Sequence, residues 1–382
     1  MPLTVRHIIT GEYPPAVGGV ADYTATVAAA LAASGEHVHV WCGGTGDGSS
    51  GSITVHRSMN GFRRSGLLAA DNALAQFKSP RRLLVQWVPH AYGRGSLNLP
   101  FCAWVRRRAL EYGDLVDIMV HEPFLPFAGG LRRRGAAAVQ RLMARLLMGH
   151  ASRILVATPA WIPLCRPYAP GVPFEWAPVP SGVDASAVST ADAGVLRELP
   201  RNGGVVIGSF GRAGAVQLNG VLRTARALIG AGRRGTIVLI GSGSEATRRA
   251  IAASEPQLAA SIHATGTVSA EHASLWLRAC DVLVQPYPDG VCGRHSSAMA
   301  ALAHGMPIVT TDGRFTEPVW RESNAVRLVP MGFTDAAERL ADAVVTLLRD
   351  DAERTRLACA ARTLYERCFD VRHTVAALQS IG

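Results

Sequence analysis

The chain has 382 residues, of which 48% are hydrophobic and 18% charged, with a formal net charge of +10. This composition excludes a disordered chain, and the length suggests two domains, each able to bury a core. No stretch approaches the roughly 20 apolar residues of a membrane-spanning helix, and residues 1–10 lack a signal peptide's pattern, so a cytoplasmic protein is expected.

The seven cysteines (Cys42, Cys102, Cys165, Cys280, Cys292, Cys359 and Cys368) are odd in number and scattered, without a C-x-x-C pair. They read as reduced thiols rather than a disulfide framework or a zinc site. The positive charge is uneven: residues 1–180 carry 18 Lys/Arg against 10 Asp/Glu, and residues 181–382 carry 21 against 19. A solvated surface accounts for the excess. An anionic acceptor, or peripheral contact with an anionic membrane, is the sharper alternative. No recognition motif accompanies the charge, so nucleic acid is not expected as a partner.

Apolar strand-like runs alternate with helix-like segments. Residues 5–9 read as a strand, 20–33 as a helix stopped by Gly35, and 37–42 as the next strand. Further strands are expected at 83–88, 115–120 and 154–157, with a helix around 142–147. The pattern restarts with a strand at 205–210, a helix at 220–231 and strands at 236–240, 262–264, 282–285 and 308–310. A helix is expected at 298–303 and three more at 336–349, 352–365 and 371–378. Continuous apolar strands between helices imply parallel sheets covered on both faces, and two such runs imply two doubly wound α/β domains. The proline- and glycine-rich segment 178–184 reads as the joint.

Three loops carry candidate chemistry. The segment Gly11-Glu12-Tyr13-Pro14-Pro15-Ala16-Val17-Gly18-Gly19-Val20 follows a strand and opens a helix, where backbone N–H groups favour an anion. Glycine alone would equally suit a tight turn. The segment Asp289-Gly290-Val291-Cys292-Gly293-Arg294-His295-Ser296-Ser297 also opens a helix and mixes glycine, hydroxyls and an arginine suited to a diphosphate. Its bland reading is a turn capped by Ser296 or Ser297. In Phe210-Gly211-Arg212 a strand gives way to glycine and arginine. A strand's carboxyl end is where open α/β sheets bind ligands, although Arg212 reads equally well as a surface residue. His90 and His121 each follow a strand. The glycine spacing at 46–51 leads into a strand-like run rather than a helix and reads as a flexible loop. No D-x-D, H-E-x-x-H, P-loop or G-x-S-x-G motif appears, so no metal is called for. Residues 43–66 and 93–108 carry no readable ligand motif.

Together these segments resemble the glycosyltransferase family 4 group, retaining enzymes of the GT-B fold. The likeness runs over nearly the whole chain. It includes the first loop, Pro180-Ser181-Gly182-Val183-Asp184, Gly208-Ser209-Phe210-Gly211-Arg212, Ile240-Gly241-Ser242-Gly243, and Asp289–Ser297 with Ala301-Leu302-Ala303-His304-Gly305-Met306-Pro307. The resemblance implies two Rossmann-like domains facing a central cleft. An acceptor domain would span residues 1–180 and a nucleotide-sugar domain residues 181–365, with the helix in residues 366–382 packing back on the first. It implies transfer of a sugar from a UDP-, GDP-, ADP- or TDP-type donor to an acceptor hydroxyl, with configuration retained and no cofactor or metal. Arg212 would pair with the diphosphate, Gly18 and Gly19 would approach it, and residues 293–297 would line the donor loop. The strand-end histidine role falls on His90 or His121. Gly241, Thr267, Asp289, Gly293, Arg294, His295, Ser296, Ser297 and Glu317 complete the expected donor set, and Tyr23, Tyr92 and Glu122 the acceptor set.

The sequence departs from that family in three places. Cys292 and Ala300 stand where two glutamates are common, and Asn219-Gly220 stands where a lysine–glycine pair is usual. Asp289 is a displaced substitute for the first glutamate, and Arg294 supplies positive charge. Two rivals remain: a nucleotide-sugar epimerase on the same fold, which needs no acceptor, and a non-catalytic sugar-nucleotide-binding protein.

Overall fold

The computed structural model describes residues 4–186, 204–212, 215–232, 234–332 and 335–380. The chain forms two compact units, Met1–Val179 with Val371–Gly382, and Pro180–Asp370.

In the first unit the order is β1 (Val5–Ile9), α1 (Gly19–Ala33), β2 (His37–Trp41), β3 (Gly48–Ser50), β4 (Ile53–His56), α2 (Arg64–Leu74) and β5 (Arg82–Trp87). There follow α3 (Leu99–Glu111), β6 (Leu115–Val120), α4 (Leu131–Met148), β7 (Arg153–Val156), the single turn α5 (Ile162–Cys165) and β8 (Phe174–Trp176). The sheet order is β3-β4-β2-β1-β5-β6-β7-β8, parallel except for β3 against β4. Residues 48–50, expected as a flexible loop, thus add an exposed edge strand, paired through Ser49 opposite Thr54. Helix α3 carries readable start signals: the Asn98 side chain accepts from Phe101 N at 3.0 Å and Pro100 sits in the first turn.

The second unit contains β9 (Val205–Phe210), α6 (Ala215–Gly230), β10 (Gly235–Ile240), α7 (Ser244–Ser254), β11 (Ile262–Ala264), α8 (Ala270–Arg278) and β12 (Val282–Gln285). It continues with α9 (Ser296–Ala303), β13 (Ile308–Asp312), α10 (Pro318–Glu322), β14 (Arg327–Pro330), α11 (Ala336–Leu347) and α12 (Asp351–Leu364). All its strands pair in parallel, in the order β11-β10-β9-β12-β13-β14. This is the doubly wound pattern, and its order reverses between β9 and β12. On one face of the sheet Ile207, Ile237, Val282 and Val309 pack with Val221 and Leu228 of α6 and Leu340 and Val344 of α11.

The last helix, α13 (Val371–Gln379), belongs to the first unit. Its Val375 and Leu378 join the core formed by Ile8, Leu84, Met119 and Leu155 with Tyr23, Val27 and Leu31 of α1. Two buried arginines hold its C-terminal carbonyls. Arg6 donates to Leu378 O at 2.9 Å, and Arg153 to Leu378 O at 3.1 Å and Ala377 O at 2.5 Å. Glu36 pairs with Arg6 at 3.1 Å and Asp117 with Arg153 at 3.0 Å, so neither charge is buried alone.

Candidate functional site

In the second unit, β9 and β10 end in glycines held at positive φ, Gly211 at +110° and Gly241 at +113°. A Cβ on Gly241 would lie 3.3 Å from Gly211 O, and one on Gly211 would lie 3.4 Å from Ser297 Cβ. Two strand ends and the start of α9 therefore converge at the point where the strand order reverses. The first N–H groups of a helix have no intrahelical partner, and the helix dipole adds positive potential there. Exposed Arg212 lines a small adjoining hollow with Ser209, Phe210, Leu218 and Ser244.

The loop from Tyr287 to Ser297 is braced from within. The Tyr287 ring stacks on His295 at 3.8 Å, and its hydroxyl lies 2.8 Å from Ser297 Oγ. Burial pushes that hydroxyl's pKa above its ordinary value. His295 Nδ1 accepts from Cys292 N at 3.1 Å, so the proton of the neutral ring sits on Nε2. Burial, helped by the Arg294 charge, lowers the His295 pKa to about 3. Gly290 has φ +87° and lies against Gly313, where a side chain would collide.

Glu317 is buried at the N-terminus of α10. Both carboxylate oxygens accept from Gly293 N at 3.1 Å, and Oε2 also accepts from Trp320 Nε1 at 2.9 Å. Gly293 and Glu317, both expected in the donor set, are thus bonded to each other within the protein. One expectation is corrected: the N-cap of α9 is His295 rather than Ser296 or Ser297, and no side chain caps it. Of the other residues expected in this loop, Ser296 is exposed, and Arg294 and Ser297 are half-buried.

Other expected donor residues lie further out. Asp289 forms an ion pair with exposed Arg314 at 2.8 Å. Thr267 is exposed, whereas Thr265, which the sequence did not single out, accepts from Gly241 N at 3.1 Å. Cys292 and Ala300 are fully buried, so neither presents a group to a ribose. Gly220 packs α6 tightly against Pro286, where a Cβ would lie 3.1 Å from the proline ring.

In the first unit, Gly18 caps α1 with the Glu12 carboxylate lying over it, while Gly19 faces open space. His121 follows β6 and is half-buried, edge-on to Tyr23 at 4.7 Å. Its Nε2 lies 2.8 Å from Gln86 Oε1, which can only accept, so Nε2 carries the proton and Nδ1 is the acceptor. Burial lowers the His121 pKa to about 3, keeping the ring neutral. His90 is exposed, its Nδ1 3.8 Å from the exposed Glu122 carboxylate. Tyr23 and Tyr92, expected to meet an acceptor, are core residues. The Tyr92 hydroxyl donates to Gln86 O at 2.6 Å. Sequence reading missed Gln86, which orients the histidine through its side chain and holds Tyr92 through its carbonyl.

Among the described residues, no three His, Cys, Asp or Glu side chains cluster as a metal site, and no helix is long and apolar enough to cross a membrane. Residues 204–350 match the family described as "Glycosyl transferases group 1". The match covers the strand ends, the braced loop and Glu317. The second unit is a glycosyltransferase domain. The chain matches no curated protein by sequence. Solved structures resemble it over its whole length. Sucrose-phosphate synthase from Thermosynechococcus elongatus has a TM-score of 0.76 at 17% identity, covering 98% of this chain and 97% of that one. HepE from Anabaena, in complex with UDP-glucose, has a TM-score of 0.68 at 13% identity, with 98% of each chain covered. An E. coli structure titled trehalose-6-phosphate, bound with UDP-2-fluoro glucose, has a TM-score of 0.69 at 14% identity, covering 99% of this chain and 100% of that one. The fold is GT-B.

Proposed function

We propose that this protein moves a sugar from a nucleoside-diphosphate sugar to an acceptor hydroxyl with retention of configuration. The observation that carries the reading is the close approach of Gly211, Gly241 and the start of α9 where the strand order reverses, with exposed Arg212 next in the chain to Gly211. UDP-sugars are the first donors to test, because HepE and the E. coli neighbour hold UDP-glucose and UDP-2-fluoro glucose.

In this mechanism the bond from the anomeric carbon to the β-phosphate oxygen breaks with oxocarbenium-like character. Arg212, Arg294 and the N–H groups opening α9 stabilise the departing phosphate charge. The acceptor oxygen bonds to the anomeric carbon on the same face, and its proton passes to the leaving phosphate. Neutral His121 orients a hydroxyl through Nδ1 rather than acting as a nucleophile. Arginines supply the countercharge, so turnover is expected to survive a chelator.

Thermal-shift binding of UDP, GDP, ADP and TDP identifies the base. Arg212→Ala is expected to lower kcat/KM by about 10²–10³ without changing thermal stability, the loss typical of one transition-state donor. Unchanged turnover in the folded variant would overturn the assignment. Buried Ala300, in place of a carboxylate, favours one rival. Nucleotide binding with neither transfer nor donor hydrolysis would establish a binding protein instead.

A further inference from the structure

The first unit contains a cavity of about 1130 Å³, larger than the roughly 300–1,000 Å³ usual for small-molecule sites. It reaches Gly11 after β1 and Ala91 after β5, the point where this unit's strand order reverses. A side chain on Gly11 would collide with Ala91, so the backbone closes tightly there.

Its walls are apolar, with Phe62, Leu67, Leu68 and Trp104 among them. A bare sugar suits such walls poorly, since each hydroxyl buried without a partner costs about 1–3 kcal/mol. The charged lining is cationic, with Arg63, Arg64 and Arg107 against Asp71. Asp71 is already occupied: it accepts from Trp104 Nε1 at 2.7 Å, from Arg107, and from Arg108 at 3.3 Å. Arg63 and Arg64 are exposed and, among the described residues, take part in no ion pair. Their guanidinium groups present donors suited to phosphate or carboxylate.

We propose that this cavity binds an amphipathic acceptor. The apolar body lies against Phe62, Leu67 and Trp104, the anionic group lies on Arg63 and Arg64, and the hydroxyl that receives the sugar stays outside. The proposal rests on the glycosyltransferase reading and adds to it the acceptor's chemical class.

The test is calorimetry on the full chain with decyl phosphate, 1-naphthyl phosphate, decanol and inorganic phosphate, with UDP binding followed in parallel. Decyl phosphate is expected to bind at least tenfold more tightly than decanol, and inorganic phosphate not to bind measurably. Naphthyl phosphate separates a compact aromatic body from a long chain: whichever phosphate binds more tightly names the source. The double variant Arg63→Ala/Arg64→Ala should reduce decyl phosphate to the affinity of decanol and leave decanol unchanged. Ala103→Trp, from an exposed position on the lining, should abolish both. Leu68→Trp, also from an exposed position, is the second filling variant should Ala103→Trp fail to fold. Equal affinity for decyl phosphate and decanol, or probe binding that survives both filling variants, would overturn the proposal. Decyl phosphate binding without any nucleotide binding would remove the transferase reading instead and leave the cavity as an amphiphile site.

Discussion

Removing the Glu317 carboxylate is expected to loosen the loop from Tyr287 to Ser297. In Glu317→Ala, the Gly293 N–H and the Trp320 Nε1–H lose their shared acceptor inside the protein. A buried donor left unsatisfied costs about 1–3 kcal/mol, so two cost about 2–6 kcal/mol. In Glu317→Gln one oxygen still serves Trp320, but the amide NH₂ faces the Gly293 N–H, donor against donor. A smaller loss, about 1–3 kcal/mol, is expected. Urea unfolding reads the stability, and hydrogen exchange of a peptide covering residues 288–298 reads the loop directly. Nucleotide affinity should fall in step with loop protection, further in the alanine variant. Two results refute this reasoning. Wild-type protection in both variants would mean the carboxylate braces nothing. Lost nucleotide binding with intact protection would mean Glu317 touches the ligand.

Acid should destabilise the protein through its histidines. Burial is the leading cause that lowers His7, His121 and His295 to about 3 and His39 to about 4, from 6.5. Between those values the unfolded chain binds protons that the folded chain refuses, so stability is full above pH 6.5 and falls as pH drops toward 3. Fully buried His7 alone contributes a slope of up to about 1.4 kcal/mol per pH unit. His7→Gln should flatten the fall in urea midpoint between pH 6.5 and 4, and an identical slope would contradict it. At the other end of the chain, Arg153→Met should cost about 3–5 kcal/mol, because buried Asp117 loses its closest cation and the carbonyls of α13 lose a donor. An unchanged urea midpoint would show that the arginine does not secure this helix.

The strands were the most readable part of the sequence. The runs 5–9, 115–120, 205–210 and 282–285 coincide with β1, β6, β9 and β12, because strands inside a covered sheet need largely apolar residues. Short edge strands lack that requirement, so Gly48–Ser50, Phe174–Trp176 and Arg327–Pro330 went unread. Helices α2 and α3 were hidden by polar and basic faces, although Asn98 and Pro100 marked the start of α3. At the site, glycines at strand ends were legible because close backbone approach leaves a compositional mark. The partners of loop residues were not. Glu317 meets Gly293 across 24 residues and Gln86 meets His121 across 35, contacts that only folding defines. The cavity escaped for the same reason. Phe62, Arg63 and Trp104 form no motif and gather only when the segments after β4 and β5 lie side by side.

The return of α13 to the first unit also orders events during synthesis. When residue 179 leaves the ribosome, Arg6 and Arg153 have Glu36 and Asp117 at hand but not the carbonyls of Ala377 and Leu378. Residues 180–370 form one continuous unit, so the second unit can fold whole while the first still lacks its closing piece. A helix translated after the whole second unit thus completes the first unit's core.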